Sequence, residues 1–376
     1  MGAFTSYLTI AAASVGLVVL AELVARWVLR QRAYYVWSPG VRLRLHPDPE
    51  VFPELERVVR FEVNSDGERG DEAPRPKPGV YRILMAGGSA VEGYLLDQPT
   101  NWPAVAQRLL NRPDALRPLK ARRVHVGNIG KSGVGTAELA LIFRRILPRY
   151  GRLDAIVVLT GVADVVQWLE TGAPPTMERA IRTSDVFGCH PEKVFGWRLR
   201  TLALVELLRA ARRRVLRRVR VEARSARWIG RARTMRATAP EVRTSVPDPS
   251  TLLDHFERNL RQTLEHARAH ADRVLVARQP WFNGPYTEEQ LRHLWHGAVG
   301  KPHKEQVKTY YAPEIVAGLM ALVDKRAARV AEAVGVEQLD LMPLVECTLK
   351  NYYDFCHFTP AGALAVAQAV ASAIVG

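Results

Sequence analysis

Five short apolar runs, at residues 81–86, 123–128, 154–160, 273–277 and 336–341, are rich in β-branched residues and are separated by stretches with helical spacing. Runs that are apolar on every position suit strands buried on both faces, as in a parallel sheet with helices above and below. The pattern therefore predicts a three-layer α/β/α domain around a five-stranded parallel sheet, with right-handed crossovers and a ligand site at the C-terminal strand ends. Upstream, residues 4–29 form one long apolar stretch, and residues 33–78 are polar and proline-rich, with one expected strand at 58–63 and a turn at "VNSDGERG". The expected organisation is an anchor at 1–32, a connector at 33–78 and the α/β domain at 79–376, interrupted by a basic helical insertion at about 197–245.

The apolar stretch is long enough to cross a hydrocarbon core of about 30 Å. A single-pass anchor is the leading reading. A cleaved signal peptide fits less well, because no Lys or Arg precedes the run, and a buried amphipathic helix is the third alternative. Glu22 is costly at depth unless it pairs, and Arg26 one turn later is its natural partner. Arg26, Arg30 and Arg32 all lie on the C-terminal side of the run, which by the positive-inside rule leans the main domain to the cytoplasm.

The net charge of +15 and the three cysteines change this picture only locally. Most of the excess positive charge lies between Trp197 and Arg243, chiefly in "RAARRRVLRRVRVEARSARWIGRARTMR", and Leu204, Leu208, Ala211, Val215 and Val219 recur there at helical spacing. A basic helix at 202–224 is expected: a solvated insertion, a helix on anionic headgroups, or a nucleic-acid surface. The anchor favours lipid over nucleic acid. Cys189, Cys347 and Cys356 have no CxxC spacing, so neither a disulfide framework nor a zinc site is indicated.

Candidate chemistry begins at "MAGGSAVEG", where Gly87-Gly88-Ser89 follows the first apolar run. The spacing to Gly93 does not make a dinucleotide fingerprint, and "NIGKSG" lacks the glycine that a phosphate loop needs at His125. A plain turn or a nucleophile site remains. At the far end, Asp354 and His357 stand three apart before a helix capped by Thr359 with Pro360 in its first turn. A nucleophilic serine needs a base, and that base needs an anion to hold its tautomer, so the pair serves Ser89 if the fold joins them. Asp164 reads as a helix cap. His293, His296 and His303 lack carboxylate or cysteine spacing and read as lid or surface residues rather than metal ligands. Trp281 and Phe282 either line an acyl pocket or belong to the core.

The ordered set resembles the SGNH hydrolases, also called GDSL esterases and lipases, over about residues 81–376. Gly87-Gly88-Ser89 stands at the G-D-S block, Gly133 of "NIGKSGVG" at the second-block glycine, Gly161-Val162-Ala163-Asp164 at G-x-N-D, and Asp354-Phe355-Cys356-His357 at D-x-x-H. The resemblance implies an SGNH, flavodoxin-like fold, Ser89 as nucleophile, His357 as base, Asp354 as its orienting acid, and Ser89 and Gly133 amides at the oxyanion. It implies no metal or organic cofactor, and esters of carbohydrates or lipids as substrates. Hydrolysis, O-acyl transfer to a glycan and a catalytically degenerate binding protein stay open. Two positions depart from the pattern: Gly88 replaces Asp, and Ala163 replaces the oxyanion Asn, for which Gln167 one turn later is a possible substitute.

Overall fold

The computed structural model describes residues 2–30, 33–74, 78–177, 180–192, 194–216, 220–222 and 225–376. Five strands form the central sheet: β1 (Val80–Gly87), β2 (Arg123–Asn128), β3 (Leu153–Leu159), β4 (Ala271–Arg278) and β5 (Glu337–Asp340). They are all parallel, in the order β2-β1-β3-β4-β5, with Met85 opposite Asn128 and Gly87 opposite Leu159. This is a doubly wound order whose switch point falls between β1 and β3. All five runs become strands, with ends shifted by a residue or two where the last carbonyls turn into the site loops.

The continuous apolar runs are explained by two separate cores. Ile83, Met85, Ala155, Val157, Leu159, Leu275 and Ala277 face one of them. Leu84, Ala86, Ile156, Val158, Val274 and Val276 face the other. Helices α3 (Trp102–Leu110) and α10 (Pro360–Val375) cover the first face; α4 (Thr136–Ile146), α8 (Ser250–His270) and α9 (Pro313–Val334) cover the second. Elsewhere in the chain lie α1 (Gly2–Arg30), α2 (Ser89–Glu92), α5 (Val162–Glu170), α6 (Ala203–Leu216) and α7 (Ser225–Ala237). Full burial of each aliphatic side chain stabilises by about 1.5–3 kcal/mol. A one-residue slip would exchange the two faces of a strand, so the register is strongly specified.

Two expectations change. The connector holds two strands rather than one: Arg42–Leu45 pairs antiparallel with Val59–Glu62, and Arg220–Glu222 adds on parallel. The basic segment is accordingly not one helix over 202–224. Its described parts are α6 up to Leu216, that strand, and α7; residues 217–219 and 223–224 lie outside the described ones. The alternation in Arg220-Val221-Glu222 suits a sheet edge better than a helix interior, and the open edge at Arg42–Leu45 supplies the partner.

Part of the segment's charge is spent internally. Arg233 of α7 donates to the carbonyls of Val51 (2.6 Å), His293 (3.1 Å) and Tyr353 (2.6 Å), and its guanidinium lies over the Phe52 ring at 5.0 Å. One fork thus joins the connector, the insertion, the 287–303 segment and the loop that carries Asp354. Charge-assisted hydrogen bonds contribute about 1.5–3 kcal/mol each, and removal leaves three carbonyls short of a partner. Arg233→Met is expected to destabilise the protein by about 3 kcal/mol, read as a lower urea midpoint, with Arg233→Lys recovering only a part. An unchanged midpoint in the Met variant would refute the fork's role.

Candidate active site

Ser89 follows β1 directly and opens α2, which places its hydroxyl at the C-terminal edge of the sheet, beside the switch point. The turn depends on glycine at 87, where a Cβ would lie 1.9 Å from the Leu159 carbonyl oxygen. At position 88 a Cβ would stand 3.1 Å from the Val134 carbonyl and 3.9 Å from the Ala163 methyl. Gly88 therefore packs tightly against the next loop, and its carbonyl accepts from the amides of Val91 (3.1 Å) and Glu92 (3.0 Å).

From the other end of the chain, Thr359 caps α10 with Pro360 in its first turn, as the sequence predicts. This cap fixes the preceding loop, and the loop delivers His357. Its Nε2 lies 2.7 Å from Ser89 Oγ, and its Nδ1 lies 2.9 and 2.8 Å from the two Asp354 oxygens. The Asp354 carboxylate is buried, at 1% exposure. Its Oδ1 also accepts from the amides of Cys356 (3.0 Å) and His357 (2.9 Å), and its Oδ2 from the Trp295 indole N–H at 2.8 Å. Tyr353 stacks on the His357 ring, with centroids 5.5 Å apart and planes at 7°.

The electrostatics follow from this geometry. Burial alone would raise the Asp354 carboxyl, but the His357 and His296 rings and the amide donors hold it well below the usual range. For His357, burial opposes the charged ring, and Asp354, with Cys356 and Tyr353, outweighs it and raises the imidazolium well above 6.5. Such an arrangement can take a proton from a serine hydroxyl and stabilise the ion pair that results.

The loop after β2 is tied to the nucleophile turn from several sides. The Gly87 carbonyl accepts from Lys131 N (3.1 Å), and Asn128 Nδ2 donates to the Val91 carbonyl (2.8 Å). The buried Glu92 carboxylate accepts from Ser132 N (2.6 Å) and from the Ser132 hydroxyl. Gly133 has φ +76°, a conformation that favours glycine, and its carbonyl accepts from Gln167 Nε2 at 2.8 Å. Ala163 does face the nucleophile turn, and its methyl offers no donor. Gln167 is occupied with the Gly133 peptide.

Several expectations are revised. Trp281 and Phe282 are 5% and 1% exposed and belong to the two cores rather than to an open pocket; Phe282 N donates to the Phe355 carbonyl at 2.7 Å, bracing the His357 loop. His296 is a buried residue, not a lid or surface one. It stacks on Trp295 with centroids 3.9 Å apart, lies 3.6 Å from Cys356 Sγ, and is pushed down to about 4, chiefly by burial. Potential ligand atoms of His296, Asp354, Cys356 and His357 lie within 4.8 Å of one another. The Asp354 oxygens already accept from four N–H groups, and burial raises the Cys356 thiol, so the cluster is built as a hydrogen-bonded network. Asp164 caps a helix, but the neighbouring one: it accepts from Thr136 N (3.1 Å) and Thr136 Oγ1 (2.5 Å) at the start of α4, and burial pushes it up to about 7.

Trp295, which meets Asp354 across 59 residues, has no local mark in the chain. Nor does Arg69 of the connector, whose guanidinium donates to the carbonyls of Glu92 (2.5 Å), Gly93 (2.7 Å) and Leu96 (2.6 Å) behind Ser89.

Solved structures similar to this chain include an alpha/beta hydrolase from the metagenome of Lake Arreo, Spain, at 13% identity over 79% of this chain and 96% of that one, with a TM-score of 0.42. An acetylxylan esterase from Geobacillus stearothermophilus matches at 13% identity over 78% and 94%, TM-score 0.40. A member of the lipolytic protein G-D-S-L family from Veillonella parvula matches at 9% over 77% and 96%, TM-score 0.40. No protein-family model matches the chain, and no curated protein does.

Because Asp354 favours the charged imidazole and burial disfavours it, removing the anion has a definite sign. The His357 ring, followed by NMR, is expected to titrate above 6.5 in the wild type. In Asp354→Asn it should fall to the ordinary histidine range or below. A titration that does not move would show that Asp354 is not the partner that sets it.

Proposed function

We propose that the protein is a membrane-anchored serine hydrolase of the SGNH type, acting on ester bonds. The observation that carries this reading is the 2.7 Å contact between Ser89 Oγ and His357 Nε2, with His357 Nδ1 held by the buried Asp354. Ser89 attacks the ester carbonyl as its proton passes to His357 Nε2, and Asp354 holds the Nδ1–H tautomer and stabilises the imidazolium. The amides of Ser89 and Gly133 receive the oxyanion. His357 then protonates the departing alkoxide, leaving an acyl group on Ser89. Water, or a sugar hydroxyl in an O-acyl transfer, attacks the acyl carbonyl with its proton going to His357, which returns that proton to Ser89 Oγ as the acyl–serine bond breaks. The substrates are acyl esters of carbohydrates or lipids. No step requires a metal or organic cofactor.

Ala163 sets the rate. Loss of one oxyanion donor costs about 10²–10³ in turnover. With its amide bonded to the Gly133 carbonyl, Gln167 holds the Gly133–Val134 peptide of the oxyanion loop in place rather than donating directly to the oxyanion. Among the described residues one helix, α1, contains a stretch long and apolar enough to span a membrane; it serves as the anchor, and the arginines at its C-terminal side favour a cytoplasmic domain.

The full chain in detergent is expected to react with a fluorophosphonate probe and to cleave a short-chain aryl ester, and Ser89→Ala should abolish both. Ala163→Asn is expected to raise turnover by about 10² with labelling retained. No labelling and no Ser89-dependent turnover would overturn the enzyme reading.

A further inference from the structure

Helix α1 is longer than a hydrocarbon core requires. At about 1.5 Å per residue, its first 20 residues cover roughly 30 Å, so with the span placed over residues 2–21, which keeps the charged Glu22 and Arg26 out of the hydrocarbon, residues 22–30 fall at headgroup level. At that level one side of the helix is covered by protein. Glu22, Ala25 and Leu29 are 1–2% exposed, and Ala25 and Leu29 pack with Phe195, Ala203, Leu204 and Leu207. Glu22 pairs with Arg26 at 2.8 Å and accepts from the amides of Ala203 (2.8 Å) and Leu204 (2.9 Å), closing the first turn of α6. Arg26 also donates to the Gly196 carbonyl at 2.8 Å and lies over the Trp197 ring at 4.5 Å.

The covering segment turns large apolar side chains outward. Val194, Trp197, Leu199 and Leu208 are 91%, 63%, 76% and 62% exposed. Arginines 198 and 200 are exposed between them. On the far side of α1 at the same height, Leu23, Val24 and Trp27 are exposed as well. In water such a ring of leucine and tryptophan would be a liability. Tryptophan, aliphatic tips and arginines at the height of the headgroups instead match the bilayer interface, where rings and apolar tips enter the acyl boundary and guanidinium groups meet phosphates.

We propose that Val194–Leu208 is a collar that inserts into the interfacial layer of the bilayer crossed by α1, and that it fixes the domain's stance on the membrane. The collar rests on the anchor reading, and it assigns the lipid contact to this short stretch rather than to the whole basic segment. Arg233 and Arg236 of that segment point inward, to the carbonyls of Tyr353 and Leu291.

The test uses the full chain with Cys189 and Cys347 changed to serine, in nanodiscs of phosphatidylcholine with anionic phosphatidylglycerol. Spin labels are placed at Val194→Cys, Leu199→Cys and, as a reference within the span, Leu17→Cys. At 194 and 199 relaxation by oxygen is expected to exceed relaxation by a water-soluble nickel chelate, as at 17. A lipid signature at 17 with water signatures at 194 and 199 overturns the collar and leaves the anchor. Water signatures at all three overturn both.

Discussion

A carboxylate buried to 1% exposure is the constraint around which the site is built. Asp354 can stay ionised there only because every lone pair meets a donor, and those donors come from separate parts of the chain. Its own loop supplies two amides, His357 supplies a ring N–H, and Trp295 reaches in from the segment after β4. A charge left unpaired at that depth would be strongly destabilising. Burial of the acid therefore requires the loop, the Trp295 segment and the cap at Thr359 to be in place together. The same requirement keeps His357 Nε2 pointed at Ser89.

Arginine performs the complementary task for the loops. Turns around a site leave many carbonyls without strand partners, and a buried guanidinium can gather several at once. Arg69 does this behind the nucleophile turn and Arg233 behind the Asp354 loop. Both forks join the connector or the insertion to the α/β core. Segments that look peripheral in the chain thus brace opposite sides of one site. Asp164 makes a similar tie from α5 to the first turn of α4 with a carboxylate.

The sheet was legible because its strands bury both faces, which forces the unbroken apolar runs at 81–86 and 154–160 to stand out from the amphipathic helices. Ser89, Asp354 and His357 were legible because each sits beside a local signal: paired glycines, or a capped helix start. The strand at Arg42–Leu45 was not, since its alternation is only four residues long and its partners are Val59–Glu62 and Arg220–Glu222. The break in the basic segment was hidden for the same reason, because helical spacing on one side says nothing about a sheet edge elsewhere. Trp295 and His296 carried no local mark; their roles arise only where the chain refolds onto Asp354. Trp281 and Phe282 show the limit of residue type as a guide, since aromatics after a strand suit a core as well as a pocket.

A leader peptide is made to be discarded, and its sequence owes nothing to the domain it delivers. Glu22 breaks that independence. Its carboxylate closes the first turn of α6, so a proteolytic cut beyond it would expose two amides and the apolar flank of Ala203, Leu204 and Leu207 together. Processing at this junction would leave a scar in the mature chain, at the very start of α6.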